Sequence, residues 1–600
     1  MMELANYKLL TTIDELRAAC AELSKHQAIG FDTETTSLDP YGGRLRLVQL
    51  SAPDGVRIID LDRFAGGVEA LRSEAGAPLR DLLAALRPVK IAHNAKFDAK
   101  WIKHTLGVEL GGLFDTLLAS QIIAAGDQDE RHGLEAVAAR YLGETIDKAE
   151  RLSDWSGELS EAQLRYAALD ASILLPLREK QIERLKADAL LRCAALEFDC
   201  VLPVAAIELA GIYLDEHRWR EQLVNVERSR AALANELQEM LSEESMQGSL
   251  FGPPTRDEIN LDSHTQLTRA LKRRFNIDVP DGSTRNWKLQ PLAEEHEVIR
   301  KLLAYRTVQK ALTSYGANIL QEINKETGRI HADFRQIGAP TGRMACTNPN
   351  IQQVPHAIEY RRCFRADPRG RPRKLIISDF SQIELRILAE FTGDQGFIDA
   401  FNSGGDLHRV AAAQVFNVPL DQVTREQRDF AKRLNFGVVY GIGAQRFSAM
   451  TGLSLTESED ILRRYFATYR QLDAWLRDAA NRAIRERTAR TASGRLVRFR
   501  FDPEDRQAAS LAQRNGKNSP IQGSSADILK RALRLLHDKL RDTTACIVNI
   551  VHDEIVVEAD AGEAAGIAKT VEDAMCAAGE EYVKRVPVKV ETEVADEWVK

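Results

Sequence analysis

The first 190 residues alternate short apolar runs with longer periodic stretches. Gln27–Asp32 and Leu45–Ser51 read as neighbouring strands and Val89–Ala92 as another, with helical stretches following. Strands interleaved with helices predict an α/β unit with a mixed sheet. The pattern changes near Glu197. Residues 215–244 place Leu223, Val226, Leu233, Leu237 and Leu241 near helical spacing. A loop rich in Gly, Pro and Ser follows from Met246 to Thr255, and further helices run to about Glu322. From Gly328 the chain reads as α+β. Leu375-Ile376-Ile377 is a buried-strand run ending at Asp379, where a helix starts at once. Residues 424–440 predict a helix and 545–559 a hairpin. There is no internal repeat and no low-complexity tract.

Length turns this pattern into several domains. At ~150 residues per domain, 600 residues predict three to five. No apolar run is long enough to cross a bilayer, and Met1 to Ala21 lacks the charged-then-apolar order of a signal peptide. The seven cysteines are scattered, without a C-x-x-C pair or a Cys/His cluster. That points to a reducing compartment and away from structural zinc or disulfides. A net charge of −7 argues against a nucleic-acid partner. Residues 361–374 (RRCFRADPRGRPRK) and the arginine-rich stretch 482–500 soften that argument, because screening confines each charge to ~8–10 Å. Taken alone, each stretch reads as a solvated face.

Chemistry enters with the acids. Phe31-Asp32-Thr33-Glu34-Thr35 sits at a strand end, and residues i and i+2 of a strand share a face. Asp32 and Glu34 therefore converge, and two close carboxylates repel unless a cation lies between them. Asn94-Ala95-Lys96-Phe97-Asp98 opens a helix after a strand. Tyr166 and Asp170 share a helix face at i,i+4. Two Mg²⁺ ions ~4 Å apart, held by several carboxylates, suit phosphodiester hydrolysis, and Tyr166 can orient the attacking water. A lone D-x-E is usually solvated. Three motifs in this order, on suitable elements, are far more specific.

Residues 25–190 resemble the proofreading 3′→5′ exonucleases of the DEDD type in their tyrosine-containing version. The resemblance implies an RNase H-like fold over 1–190, metal ligands Asp32, Glu34, Asp98 and Asp170, and an active nuclease. None of these positions departs from the family pattern.

A second acidic set lies further on. Asp379-Phe380-Ser381-Gln382-Ile383-Glu384-Leu385-Arg386 follows the buried strand, which fixes Asp379 on a rigid edge. Val551-His552-Asp553-Glu554-Ile555 places two adjacent acids at a hairpin turn, where both can approach one site. Acids at such turns are usually turn-formers. The stretch between these two pieces decides the matter. Arg428, Lys432, Phe436 and Tyr440 recur every four residues, Thr424 and Gln427 have capping-box spacing, and Gly441-Ile442-Gly443 ends the helix. Phe430, Leu434 and Val438 form the burying stripe. The other stripe presents two cations and then two aromatics. That order suits a nucleoside triphosphate with its phosphates at the N-terminal end, where the helix dipole also favours anions. An amphipathic helix with snorkelling Arg and Lys is the plain alternative.

Residues 197–600 resemble the family A DNA polymerases of the bacterial DNA polymerase I large-fragment type. These three pieces match motifs A, B and C. Thr341-Gly342-Arg343, Asn348-Pro349-Asn350-Ile351-Gln352-Gln353-Val354-Pro355 and the run from Arg514 through Asn518-Ser519-Pro520-Ile521-Gln522-Gly523 extend the match. The resemblance implies a right hand over 191–600, with a thumb at about 205–325, a palm at about 326–405 and 495–600, and fingers at about 406–494. It implies two Mg²⁺ ions (Mn²⁺ a substitute) on Asp379, Asp553 and the Phe380 carbonyl, with Glu554 supporting. It assigns the dNTP to Gln382, Glu384, His408, Arg428, Lys432, Phe436 and Tyr440, with Glu384 occluding a ribose 2′-OH. Primer–template DNA falls to Arg343, Arg514, Asn518, Gln522 and His552. Phe380 stands where Tyr is usual, and Met344-Ala345-Cys346 where Leu-Ser-Ser is more typical.

The implied function is template-directed DNA synthesis with proofreading, in replication or repair, by a monomer with no membrane association. A single-subunit RNA polymerase is expected to lack both Glu384 and the exonuclease unit. A silent nucleic-acid-binding protein is expected to lack some of the acids. The exonuclease motifs begin near residue 31, so no 5′-nuclease unit is expected ahead of them. A phage-like or organelle-like replicase, or a cytoplasmic polymerase served by a separate flap nuclease, fits that arrangement. A helicase or clamp partner leaves no signature in the sequence.

Overall fold

The computed structural model describes residues 6–127, 129–145, 153–242, 244–245, 255–256, 258–355 and 357–599. The N-terminal unit is built on six strands: β1 (Tyr7–Leu10), β2 (Ala28–Thr35), β3 (Leu45–Ala52), β4 (Gly55–Asp60), β5 (Val89–Ala92) and β6 (Leu113–Asp115). Their order is β1-β4-β3-β2-β5-β6. The β2–β3 and β3–β4 pairs are antiparallel, and the other three are parallel. The sheet is therefore mixed, as the apolar runs predict. β2 runs three residues past its expected end. Thr35 still pairs with Leu45 beyond a register shift at Glu34, so Asp32 and Glu34 lie within the strand. Helices α1 (Ala95–Leu106), α2 (Thr116–Ala124) and α3 (Glu161–Ser172) carry the remaining acids and the tyrosine of this unit.

Helices α4 (Leu191–Asp199) and α5 (Val201–Ala210) lead into α6 (Glu216–Leu241), which Asp215 caps. The long helix appears where the Leu223-to-Leu241 spacing puts it, and that spacing serves two cores. Leu223 and Val226 join the main core, while Leu237 and Leu241 join a second one with Leu267, Leu271 and Leu302. The Gly/Pro/Ser-rich loop, Thr255 apart, lies outside the described residues.

The C-terminal sheet is antiparallel. It holds β7 (Arg373–Phe380), β8 (Cys546–Val551), β9 (Glu554–Asp560) and β10 (Val590–Ala595) in the order β8-β9-β7-β10. The strand carrying Asp379 is central, covered on both edges. Around the sheet stand α7 (Ile383–Thr392), α8 (Leu407–Phe416), α9 (Arg425–Val439), α10 (Leu455–Thr468) and the 35-residue α11 (Arg506–Leu540). The helix after Asp379 does not start at once. β7 continues to Phe380, and Gln382 takes a left-handed turn (φ 55°) before α7 begins.

Both basic stretches prove to be stapling elements. Arg361 stacks on Trp598 at 4.4 Å, Arg362 pairs with Glu597, Arg365 with Asp215, Arg373 with Glu558 and Lys374 with Asp596. In the second stretch, Arg498 pairs with Asp188 at 3.0 Å and Arg500 with Asp127 at 2.6 Å, while Arg490 donates to the Asp188 carbonyl. These contacts tie the two units together. A buried ionic node lies within the second unit. Glu197 of α4 pairs with Arg495 and Lys530, and Arg495 also meets Asp527 at 2.7 Å, all four side chains being almost fully shielded. Lys530 donates to the Gly342 carbonyl at 2.7 Å, and Gln336 donates to the Glu197 carbonyl. The node thus holds both ends of the segment that delivers Arg343.

Candidate active sites

The first site is assembled from β2, α1 and α3. Pleating puts Asp32 and Glu34 on the face of β2 that α3 covers. Gly30, two residues earlier on that face, is so close to α3 that a Cβ would meet the Ala171 carbonyl at 2.3 Å. Asp170 of α3 completes a group whose ligand atoms all lie within 4.8 Å. Asp98 enters from α1, buried and accepting a hydrogen bond from the Thr33 hydroxyl at 2.7 Å. Asp115 secures that approach. Its carboxylate accepts from the backbone N–H groups of Asn94 and Ala95 at the start of α1, and of Leu117 and Leu118 at the start of α2. Sequence inspection missed Asp115, because an acid at a helix start looks like an ordinary cap.

Crowding four carboxylates has an electrostatic signature. Burial, then the charges of Asp98, Glu34 and Asp170, push Asp32 well above the usual carboxylate range. Burial and the charges of Asp170 and Asp98 raise Glu34 to about 8. Burial raises Asp98 to about 8 against the Thr33 hydrogen bond. Tyr166 is also raised, by burial and by the neighbouring Asp170 that its hydroxyl bonds. Oxygen donors held this close suit hard divalent cations, which remove the repulsion that otherwise forces protonation.

The second site is a cavity of 580 Å³ beside the central strand of the C-terminal sheet. Its walls gather Asp379, Phe380, Gln382, Glu384, His408, Arg428, Lys432, Phe436, Tyr440, Arg343, His552 and Asp553, residues scattered over 211 positions of the sequence. Strand pairing brings the two acidic motifs together, since Asp379 is in register with Glu554 and the Phe380 N–H donates to the Asp553 carbonyl at 3.4 Å. His552 adopts φ 57° in the turn. Of the adjacent acids, Asp553 lines the cavity. Glu554 does not, its Oε1 accepting from the Trp598 indole at 2.8 Å. A further acid, Glu591, faces Asp379 from β10 and accepts from Ser381. No local pattern marks Glu591, as its role depends on which strand pairs with β7.

Helix α9 starts with the capping box that Thr424 and Gln427 predict, both bonds being present. Ala431, Leu434 and Val438 are buried and Phe430 half-buried, which leaves Arg428, Lys432, Phe436 and Tyr440 along the cavity. Arg428 pairs with Asp406, which also caps α8 through the His408 and Arg409 N–H groups. Glu384 is bound from two sides, by Arg343 at 2.5 Å and by the Tyr440 hydroxyl at 3.0 Å. Arg514, Asn518 and Gln522 do not line the cavity. They lie on α11, N-terminal to its lining residues Ser525, Ala526 and Leu529. Asn518 donates to the Tyr440 carbonyl at 3.4 Å, and Arg514 lies beside Gly441, where α9 ends.

A family model described as DNA polymerase family A matches residues 226–600, and one described as 3′-5′ exonuclease matches residues 7–186. The DNA polymerase I of Aquifex aeolicus is 31 % identical over 99 % of this chain and 100 % of its own. That of Pseudomonas aeruginosa is 29 % identical over 96 % of this chain, which spans 64 % of the Pseudomonas protein. A solved structure titled as the POL domain of Pol1 from M. smegmatis, in complex with DNA primer-template and dNTP, has a TM-score of 0.83 at 27 % identity, covering 99 % of each chain.

Proposed function

The chain belongs to DNA polymerase family A, and from that premise we propose that its 580 Å³ cavity extends a DNA primer while the Asp32 cluster removes mispaired 3′ ends. The observation that carries the reading is the gathering of Asp379 and Asp553 with the cation–aromatic stripe of α9 around one cavity. The chain is a DNA polymerase joined to a 3′–5′ exonuclease unit, and such units use divalent metal ions.

In this reading Asp379, Asp553 and the Phe380 carbonyl would hold two Mg²⁺ ions, and Asp32, Glu34, Asp98 and Asp170 would hold two more. When bound, the ions lower the pKa of the primer 3′-OH at one site and of water at the other, and screen phosphate charge. Arg428, Lys432 and His408 grip the triphosphate, which requires Arg428 to leave Asp406. Phe436 and Tyr440 flank the nascent pair. Gln382 and Glu384 border the sugar, and Glu384 excludes a 2′-OH. Arg343, His552 and Gln522 follow the minor groove of primer–template DNA, where degenerate readout suits a check on pair shape. Arg514 and Asn518 touch the template. Tyr166 orients the water at the exonuclease site.

The proposed division is 1–190 for the exonuclease and 191–600 for the polymerase. Within the latter the thumb covers about 205–325, the palm about 326–405 and 495–600, and the fingers about 406–494. Among the described residues no helix is long and apolar enough to cross a membrane. Replication or repair as a monomer in the cytoplasm fits this reading.

Extension of a primer with a mispaired 3′ end tests it, comparing wild type, Asp32→Ala and Asp553→Ala. Asp32→Ala should extend paired primers but fail to remove the mispaired end. Asp553→Ala should do the reverse. Extension by Asp553→Ala at the wild-type rate would remove the basis of the reading.

A further inference from the structure

The proposed triphosphate grip includes His408, and the packing behind it decides how that histidine acts. Asn435 lies on α9 one residue before Phe436 but faces away from the cavity, fully buried between α8 and α10. Its amide touches two rings. The Tyr465 hydroxyl of α10 donates to Asn435 Oδ1 at 2.8 Å, and Asn435 Nδ2 lies 3.0 Å from His408 Nδ1. We propose that Asn435 is a positioning residue that fixes the tautomer of His408, so that this histidine offers an Nε2–H donor to the phosphates of the incoming nucleotide. The proposal rests on the reading of the cavity as a nucleotide site.

Tyr465 sets the orientation of the amide. A buried phenol must place its proton on an acceptor. Among the hydrogen bonds of the described residues, Asn435 Oδ1 is the acceptor that takes it. An amide with its oxygen committed on one side presents its NH₂ on the other. Nδ1 of His408 must then be the accepting nitrogen. In a neutral imidazole the proton is on Nε2.

Neutrality follows from the surroundings. His408 is almost fully buried, and burial lowers its pKa to about 4. The charged groups around it nearly balance: Asp406, which caps its helix, and Asp429 on α9 raise the pKa, while Arg428 and Lys432 on α9 lower it. On its other side it meets the uncharged Asn435 of α9, which in turn holds the Tyr465 hydroxyl of α10. The ring also rests on Phe436, with centroids 5.7 Å apart, so one residue of α9 orients His408 and the next supports it. The opposite tautomer would turn a lone pair toward a polyanion.

Two measurements test this. Histidine-selective ¹⁵N spectra of the ligand-free enzyme, with His408 assigned by loss of its signal in His408→Gln, should show the Nε2–H form in wild type and a mixture in Tyr465→Phe. An Nδ1–H form in wild type overturns the proposal whatever the kinetics. Primer-extension kinetics then follow Asn435→Asp, whose carboxylate accepts a proton from Nδ1 and stabilises the imidazolium. Its KM for dNTP should fall as the pH drops through about 7, while wild type shows no such inflection. Asn435→Leu combined with Tyr465→Phe, which leaves no unpaired hydroxyl, should raise KM about tenfold with kcat little changed, the worth of one charge-assisted hydrogen bond. Equal KM and pH profiles in all these variants overturn the proposal. An unchanged KM in His408→Ala, beside a confirmed Nε2–H tautomer, overturns it at the level of the cavity reading instead.

Discussion

The Tyr440 hydroxyl donates to Glu384 Oε2 across 3.0 Å, joining the end of α9 to the start of α7. The residue at the tip of the proposed nucleotide helix therefore holds the proposed ribose sensor in place. Glu384→Ala should let NTPs compete with dNTPs. Tyr440→Phe keeps the ring and removes the bond, so it should reproduce part of that loss. A hydrogen bond to a buried carboxylate is worth about 1.5–3 kcal/mol, and the exposure of Tyr440 argues for the low end, about tenfold in the NTP-to-dNTP ratio. Competition assays with matched NTP and dNTP measure it. An unchanged ratio in both variants would remove Glu384 from ribose selection.

The exonuclease acids make the metal-free protein sensitive to pH. Glu34 and Asp98 are raised to about 8, above their unfolded values. Groups raised in this way bind more protons folded than unfolded. Their contribution to stability is complete below about pH 4 and is lost as the pH climbs through about 8. In chelator, the thermal midpoint of the exonuclease unit should fall between pH 5 and 8, and millimolar Mg²⁺ at pH 8 should restore it. Asp32→Asn, which removes one repelling charge, should flatten the slope. Identical slopes with chelator and with Mg²⁺ would count against metal binding at this cluster.

Phe436 presents a bare ring to the cavity, 5.7 Å from His408. In the family A polymerases, Phe at this position goes with discrimination against chain terminators lacking a 3′-OH. Phe436→Tyr supplies a hydroxyl on the protein side and should raise dideoxynucleotide incorporation by at least about tenfold, or ~1.4 kcal/mol. Termination frequencies on a primed template read this out. No change would mean that the ring does not meet the sugar.

Glu197 is fully shielded and pairs with two cations. Glu197→Ala takes from the buried Lys530 the carboxylate it pairs with and leaves Arg495 with Asp527, which should cost about 3–5 kcal/mol. Denaturant unfolding followed by tryptophan fluorescence measures the loss. A cost below about 1 kcal/mol would show that water reaches the node.

The sequence made the periodic parts of this molecule legible. The strand at Val89–Ala92, the capping box at Thr424 and the hairpin around Asp553 all follow from local spacing. The acids of both sites were legible as motifs. Their neighbours were not. Asp115, Asp406, Asn435 and Glu591 gain their meaning from partners on other elements, and periodicity carries no information about those partners. The basic stretches show the same limit. Their arginines look like a solvated face in one dimension, yet Arg365, Arg373, Arg498 and Arg500 are matched by acids from distant segments. Gln382 escaped for a different reason. A left-handed residue between strand and helix is a steric adjustment that hydropathy does not record.

The seam between the two units has a practical side. Cys193, Ala194 and Leu496, all on the polymerase side of residue 190, pack against Ala28, Ile91 and Phe114 of the exonuclease sheet. A fragment cut there would carry a bare oily stripe, rimmed by arginines at 490, 498 and 500 that had lost the carboxylates and carbonyls they grip. Such a piece would clump with its own copies and would cling to any polyanion. An enzyme without editing is therefore better obtained by blunting Asp32 than by scissors.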